Sequence, residues 1–271
     1  MEKLDFTKKD PGPPPPSTTC KRCGQEAKPK FIFIGWRQQE HCELCSKIVA
    51  EEREREMAIR ERKEKTARLL ESSGMRGIMR NMTFDSFNSQ RRGKIYEAAK
   101  QYAKDFTPQT NTGLIFFGKA GTGKTHLAVA IARYVIEQKQ IAARVARTVE
   151  LLADIRQTFS EHDGYRAENE IELIRKFTSV SLLVLDDLGA EKISDWVKEV
   201  FYRIIDERWL EQRPVIVTSN LNLKELEEKI GDRIVSRIAG MCIPIEIQNQ
   251  DYRIENAPRF GEIRRANSSN S

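Results

Sequence analysis

The stretch GLIFFGKAGTGKTHLAVAIARYVIEQ, residues 113–138, decides the fold. It opens on an apolar run that reads as a buried strand and closes on a stretch free of Gly and Pro that reads as a helix. Between them stand Gly118, Lys119, Ala120, Gly121, Thr122, Gly123, Lys124 and Thr125, which match G-x-x-x-x-G-K-[ST] in the strand–turn–helix setting that this motif requires. The glycines let backbone N–H groups turn inward around phosphate oxygens, and the start of the following helix adds a favourable dipole. The spacing assigns Lys124 to the β and γ phosphates and the Thr125 hydroxyl to a magnesium ion. A chance match in a chain this long is about a 1% event at ordinary residue frequencies. ATP (or ADP) with magnesium is the expected ligand.

A second stretch, LLVLDDLG at 182–189, ends a greasy run in two adjacent carboxylates. Burying an unpaired charge costs several kcal/mol, about 3–5 where a partner is missing, so a core strand with this ending implies a cation at its tip. Beside a phosphate loop, Asp186 is expected to share the magnesium ion with Thr125, and Asp187, one residue on, to orient or deprotonate an attacking water. PVIVTSN at 214–220 offers a further polar strand end, with Asn220 placed to reach between phosphate and water. In GDRIVSRIAG, Arg233 and Arg237 fall four apart on one helix face, and a transferring phosphoryl group needs such a cation, which a neighbouring subunit could deliver.

Outward from these motifs, apolar runs at 113–118, 143–148, 182–187, 214–219 and 242–247 read as strands. Helical stretches at 124–139, 149–160, 167–178 and 194–211 fill most of the gaps. Strands alternating with helices predict an α/β fold, a parallel sheet covered on both faces.

Near the other end, Cys20 and Cys23 form one C-x-x-C pair and Cys42 and Cys45 another, with 18 residues between the pairs. This spacing reads as a zinc site, because a two-residue gap lets both thiolates of a pair face one tetrahedral ion. His41, next to Cys42, is an alternative ligand. The intervening FIFIGW is expected to form a small hairpin, and so short a unit needs the ion in order to fold. The fifth cysteine, Cys242, lies in an apolar stretch and reads as core. The chain therefore divides into a Pro-rich N-terminus at 1–19, a zinc-binding module at 20–47, a charged helical linker at 48–75, an ATPase domain at 76–255 and a flexible tail at 256–271. In the linker, Glu51 with Arg55, Glu56 with Arg60 and Glu61 with Lys65 are spaced for i,i+4 pairing.

Lys and Arg number 46 against 40 Asp and Glu, a net charge of +6 that mildly favours polyanionic partners without selecting one. No run approaches the ~20 apolar residues of a membrane span, and MEKLDFTKKD lacks the apolar segment of a secretory signal. A cytoplasmic location is expected.

GKAGTGKTHLA, LLVLDDLGAE, PVIVTSN and DRIVSRI, in that order, with the lead-in MTFDSF and a late DYR at 251–253, resemble the AAA+ ATPases of the replicative helicase loader type (DnaC/DnaI). The resemblance spans about residues 80–255 and is shared with the IstB-type transposition helpers, which act on duplex DNA with a transposase. It implies a five-stranded AAA+ sheet in which the phosphate-loop strand and the acidic strand are adjacent near the centre. It places Asn220 at the first sensor and Arg237 at the arginine finger that acts in trans, with Arg233 the runner-up. It further implies a homo-oligomer formed on ATP and DNA, and a helical insertion at 148–178 lining a path for single-stranded DNA. Many AAA+ proteins have glutamate where this chain has Asp187, and the shorter side chain retunes hydrolysis. Too few residues follow the last strand for the usual large C-terminal lid, which loaders of this type often lack; Arg253 is a candidate for a second-sensor arginine. The cysteine module resembles the zinc-containing N-terminal domain of DnaI-like and phage-type loaders, which implies a DnaB-type replicative helicase hexamer as its partner.

Overall fold

In the computed structural model, residues 12–32, 35–158, 166–248 and 250–252 are described. Arg253, His162 and the tail from 256 onward lie outside them, as does most of the N-terminal stretch before the first cysteine. The chain forms two compact units, 1–64 and 65–271.

The first unit has two short antiparallel ladders. β1 (Thr18–Thr19) pairs with β2 (Glu26–Ala27), and β3 (Lys30–Ile32) pairs with β4 (Gly35–Arg37) in the expected hairpin. Phe31 and Trp36 meet edge to face across that hairpin at 5.4 Å. The buried cluster consists of Cys20, Ala27, Cys42 and Cys45, so thiols stand where a larger domain would have aliphatic side chains. Helix α1 (Glu43–Ser72) starts inside the cysteine module and carries Cys45 in its first turns. Of the pairings expected along it, Arg60 turns to Glu64 at 2.9 Å rather than to Glu56, and the Arg22 guanidinium grips Glu52 through both oxygens at 2.6 and 2.8 Å.

The second unit opens with helix α2 (Lys94–Asp105) and continues through β5 (Gly113–Phe117), α3 (Lys124–Lys139), β6 (Ala143–Arg147), α4 (Thr148–Thr158), α5 (Arg166–Thr178), β7 (Leu182–Asp186), α6 (Asp195–Leu210), β8 (Val215–Ser219), α7 (Leu223–Ile230), α8 (Asp232–Met241) and β9 (Cys242–Glu246). The five long strands form one parallel sheet in the order β6-β7-β8-β5-β9. Strand side chains alternate between two cores. Leu114, Phe116, Leu182, Val184 and Ile216 join α2 and α3 on one face; Ile115, Leu183, Leu185, Val215 and Val217 join α6, α7 and α8 on the other. Full burial of each such aliphatic or aromatic side chain contributes about 1.5–3 kcal/mol. This double cover explains why the central strands β5, β7 and β8 read as unbroken apolar runs.

One expectation from the resemblance fails. The phosphate-loop strand β5 and the acidic strand β7 are not neighbours, because β8 lies between them and pairs with both. β8 is buried at all five positions, which suits it to the middle of the sheet, and its polar end is thereby delivered between the loop and the acids. At the opposite end of the sheet, Arg208 of α6 is fully buried and donates to the carbonyls of Phe177 (2.8 Å), Val180 (2.9 Å) and Pro214 (2.5 Å), closing the entries to β7 and β8. Burial pulls its guanidinium down to about 9. Helices α2 and α7 are additions to the elements legible in the sequence.

Candidate functional site

The carboxyl ends of β5, β7 and β8 open into a cleft of about 920 Å³. Ala120 to Thr125, Asp186, Asp187, Thr218 and Asn220 line it, whereas Gly118 and Lys119 face a second depression on the other side of the loop. Gly121 has a φ of +70°, a left-handed conformation that favours glycine, and the carboxylate of Asp251 occupies the space a Cβ would take. Tyr252 N–H fixes the late chain over the loop by donating to the Gly121 carbonyl at 3.0 Å.

Lys124, the first residue of α3, folds back over its own loop. Its Nζ donates to the carbonyls of Gly118 (2.7 Å) and Lys119 (2.6 Å) and to Oδ1 of Asn220 (2.8 Å). Asn220 Nδ2 in turn donates to Oδ1 of Asp187 at 2.9 Å, so a single amide links the loop lysine to the acid pair. Thr218 joins the two acids: its hydroxyl donates to Asp186 Oδ1 at 2.8 Å and accepts the Asp187 N–H at 2.8 Å. Burial raises the Asp186 carboxyl above its usual range, and hydrogen bonds from Thr125 and Thr218 oppose that rise. Thr125 and Asp186 thus line the same cleft close to each other, a hydroxyl and a carboxylate of the kind that hold a magnesium ion.

Asp187 is one of the few non-glycine residues with positive φ, at +62°. Its N–H is held by Thr218, its side chain by Asn220, and its carbonyl accepts the Thr148 hydroxyl at 3.0 Å. The same hydroxyl lies 2.9 Å from the buried carboxylate of Glu191, so its one proton is shared between the two acceptors, and Glu191 accepts the Gly189 N–H at 3.2 Å. This Thr148–Glu191 brace was not legible in the sequence, because its members lie 43 residues apart and neither belongs to a motif. The lead-in segment supplies an apolar wall through Met79, Met82 and Phe87. His126 stands beside it, donating from Nε2 to the Thr83 carbonyl at 2.8 Å, with its ring edge-on to Phe87. Burial holds its pKa below the usual value. Arg237 lies away from this cleft, on α8 against α6, and Arg233 is exposed one turn earlier.

Residues 38–259 match the family described as IstB-like ATP binding protein. The chain belongs to this family of AAA+ proteins. It is 32% identical over 233 residues to the replicative helicase loader DnaC of Buchnera aphidicola (subsp. Acyrthosiphon pisum), a match that covers 83% of this chain and 89% of that protein. Among solved structures, the DnaC helicase loader superposes with a TM-score of 0.57 at 27% identity, covering 64% of this chain and all of the other. DnaI superposes at 0.51 with 25% identity, covering 63% and 90%.

This IstB-like chain is thus related to the DnaC and DnaI loaders, and it also carries the four-cysteine cluster. The sulfurs of Cys20, Cys23, Cys42 and Cys45 lie within 4.8 Å of one another, with Cys23 and Cys42 at 3.6 Å. Four thiolates at about 2.3 Å from one zinc ion stand about 3.8 Å apart, so the donor set fits zinc. His41 Nδ1 approaches Cys20 Sγ at 3.9 Å and is no member of the group. Burial raises the Cys20 thiol, but backbone N–H groups of Cys23, Cys42 and Arg22 outweigh that and bring it down to about 5, whereas the neighbouring sulfurs and burial push the Cys45 thiol up to about 12. No helix among the described residues is long and apolar enough to cross a membrane.

Proposed function

We propose that the chain is an ATP-hydrolysing loader of a replicative helicase. The observation that carries the proposal is the Asn220 amide, which ties the phosphate-loop lysine to Asp187 and so joins the binding and hydrolytic halves of one site. In this mechanism the backbone N–H groups of the loop and Lys124 hold the triphosphate, Lys124 leaving its two loop carbonyls for phosphate oxygens. Met79, Met82 and Phe87 pack against the base. Thr125 and Asp186 would hold magnesium, which when bound would supply positive charge beside the phosphates. Asp187 accepts a proton from, or orients, the water, and Asn220 fixes its carboxylate and senses the γ phosphate. Arg237 arrives from a neighbouring subunit and stabilises the transferring group. The four cysteines bind zinc, and the surrounding module, residues 20–47, holds a DnaB-type helicase hexamer. Residues 48–75 connect it to the motor at 76–255, whose helices α4 and α5 face single-stranded DNA. ATP binding favours the DNA-engaged oligomer, and hydrolysis to ADP releases it.

Support for the partner comes from the 32%-identical relative, a replicative helicase loader. The test is co-migration of the purified chain with a DnaB-type hexamer, compared with a chain lacking residues 1–47. Binding that needs the cysteine module and hydrolysis that rises on single-stranded DNA are expected. Binding unaffected by its removal contradicts the division of labour. ATP-dependent assembly on duplex DNA with a transposase, and no affinity for the helicase, selects instead the transposition-helper function that the sequence resemblance also implies.

A further inference from the structure

Arg237 sits in a socket built by another helix. Its Nε donates to Asp206 Oδ1, its Nη2 donates to the Tyr202 hydroxyl at 3.0 Å, and its Nη1 donates to the Arg233 carbonyl at 3.3 Å. The guanidinium plane also lies 4.8 Å from the Tyr202 ring centre and 5.6 Å from that of Trp209. Tyr202, Asp206 and Trp209 are successive contacts along α6, spaced four and three residues apart, so one helix face supplies acid, hydroxyl and ring. Arg233 differs: it is exposed, and its guanidinium has no partner among the described residues.

An arginine has five N–H donors in a rigid planar fork. Three are taken by the socket, one from each nitrogen, which leaves one N–H on each terminal nitrogen. Both remain able to donate to phosphate oxygens. The side chain keeps 25% of its surface exposed, as does Asp206, so the residue is oriented without being enclosed. A carboxylate on Nε holds the fork in place in the same way that a carboxylate orients a metal-binding imidazole from behind.

Resting on the trans role given to Arg237 above, we propose that Asp206 and Tyr202 are positioning residues for it, and that α6 sets the angle at which the arginine is presented to the neighbouring nucleotide. Asp206 touches no substrate. It acts through Arg237, and its loss lowers turnover without weakening ATP binding.

The test is a mixing experiment with full-length, zinc-loaded chains on single-stranded DNA. An Asp187→Asn chain serves as donor, with its arginine intact and its own hydrolysis blocked. An Arg237→Ala chain serves as acceptor, with an intact nucleotide site. If the mixture gains no ATPase activity over either chain alone, the trans role itself is wrong. If activity is restored, Asp206→Ala is added to the donor. The expected result is a kcat lower by about 10–100-fold with KM changed by about twofold or less, the usual size of an outer-contact loss. Asp206→Glu in the donor is expected to recover part of the activity, and Tyr202→Phe, which keeps the ring, to cost only about threefold. Restoration by the Asp206→Ala donor equal to or above that of the parent donor overturns the inference. Circular dichroism and thermal melting of each donor separate misfolding from mispositioning. If Asp206→Ala does not fold, Asp206→Asn, which keeps the shape but loses the charge, decides by the same criterion.

Discussion

Replacing Thr218 by Val keeps the shape of the β8 end and removes one hydroxyl. That hydroxyl makes two hydrogen bonds of 2.8 Å, one donated to the buried Asp186 carboxylate and one accepted from the Asp187 N–H. A hydrogen bond to a charged group contributes about 1.5–3 kcal/mol, and an orphaned buried N–H costs about 1–3 kcal/mol. With partial relaxation, a loss of about 3 kcal/mol in unfolding free energy is expected, or about 6–12 °C in Tm for a unit of this size. The functional effect follows from the left-handed turn at Asp187, φ +62°, which is held by Thr218, Thr148 and Asn220. Such a conformation persists only where its surroundings enforce it, at a cost of about 1–3 kcal/mol. With one anchor gone, turnover of ATP is expected to fall by about 10–100-fold, which is about 1.4–2.7 kcal/mol on the barrier. ATP affinity at neutral pH is expected to stay within about threefold, because the Lys124 and loop contacts are untouched. The Asp186 carboxyl, losing one of the hydrogen bonds that oppose its upward shift, becomes protonated at higher pH, so magnesium-dependent binding weakens earlier on acidification than in the parent chain. Denaturant unfolding, a steady-state ATPase assay and a binding titration across pH measure all three, and Thr218→Ser restores them. A Val variant that melts and turns over like the parent refutes the reasoning.

Arg208→Ala orphans the carbonyls of Phe177, Val180 and Pro214 at the entries to β7 and β8 and is expected to destabilise the second unit by about 3–5 kcal/mol, measured by denaturant unfolding. For His126, burial depresses the folded pKa below the unfolded value of about 6.5. The unfolded chain then binds more protons just below that pH, so the stability it contributes is present above about 6.5 and is lost as pH falls through the folded pKa. Melting curves between neutral and mildly acidic pH should decline more steeply for the parent than for His126→Gln, and equal slopes contradict the assignment. Native mass spectrometry should find one zinc ion per chain, and its removal by a chelator should change the emission of Trp36 in the first unit while the melting of the second unit is retained.

The three central strands β7, β8 and β5 were legible because each is buried along its length and therefore written as an uninterrupted apolar run, as in LLVLD and VIVTS, whereas the edge strands β6 and β9 keep exposed positions. The phosphate loop and the paired cysteines were legible because their chemistry demands fixed residue types at short spacings. The lateral order of the strands was not. Each crossover is long enough to reach more than one neighbour, so local pattern does not reveal that β8 separates β5 from β7. The supports of the site were hidden for a related reason. Thr148, Glu191, Tyr202 and Asp206 are ordinary helix and loop residues, and their meaning comes from partners about 30–40 positions away. Helix α7 was missed because it spans only Leu223–Ile230, although its Asn222–Glu225 capping box was written in the sequence.

The proposed motor requires the Ala120–Thr125 turn and the Asp186–Asp187 strand end to hold one nucleotide between them. Calorimetric titration of the zinc-loaded full chain with ATP, with and without magnesium, measures this directly. One saturable, magnesium-dependent site per chain, abolished by Lys124→Ala in a variant that still melts cooperatively, is the predicted result. Heat indistinguishable from dilution for the parent chain, at any magnesium concentration, contradicts it.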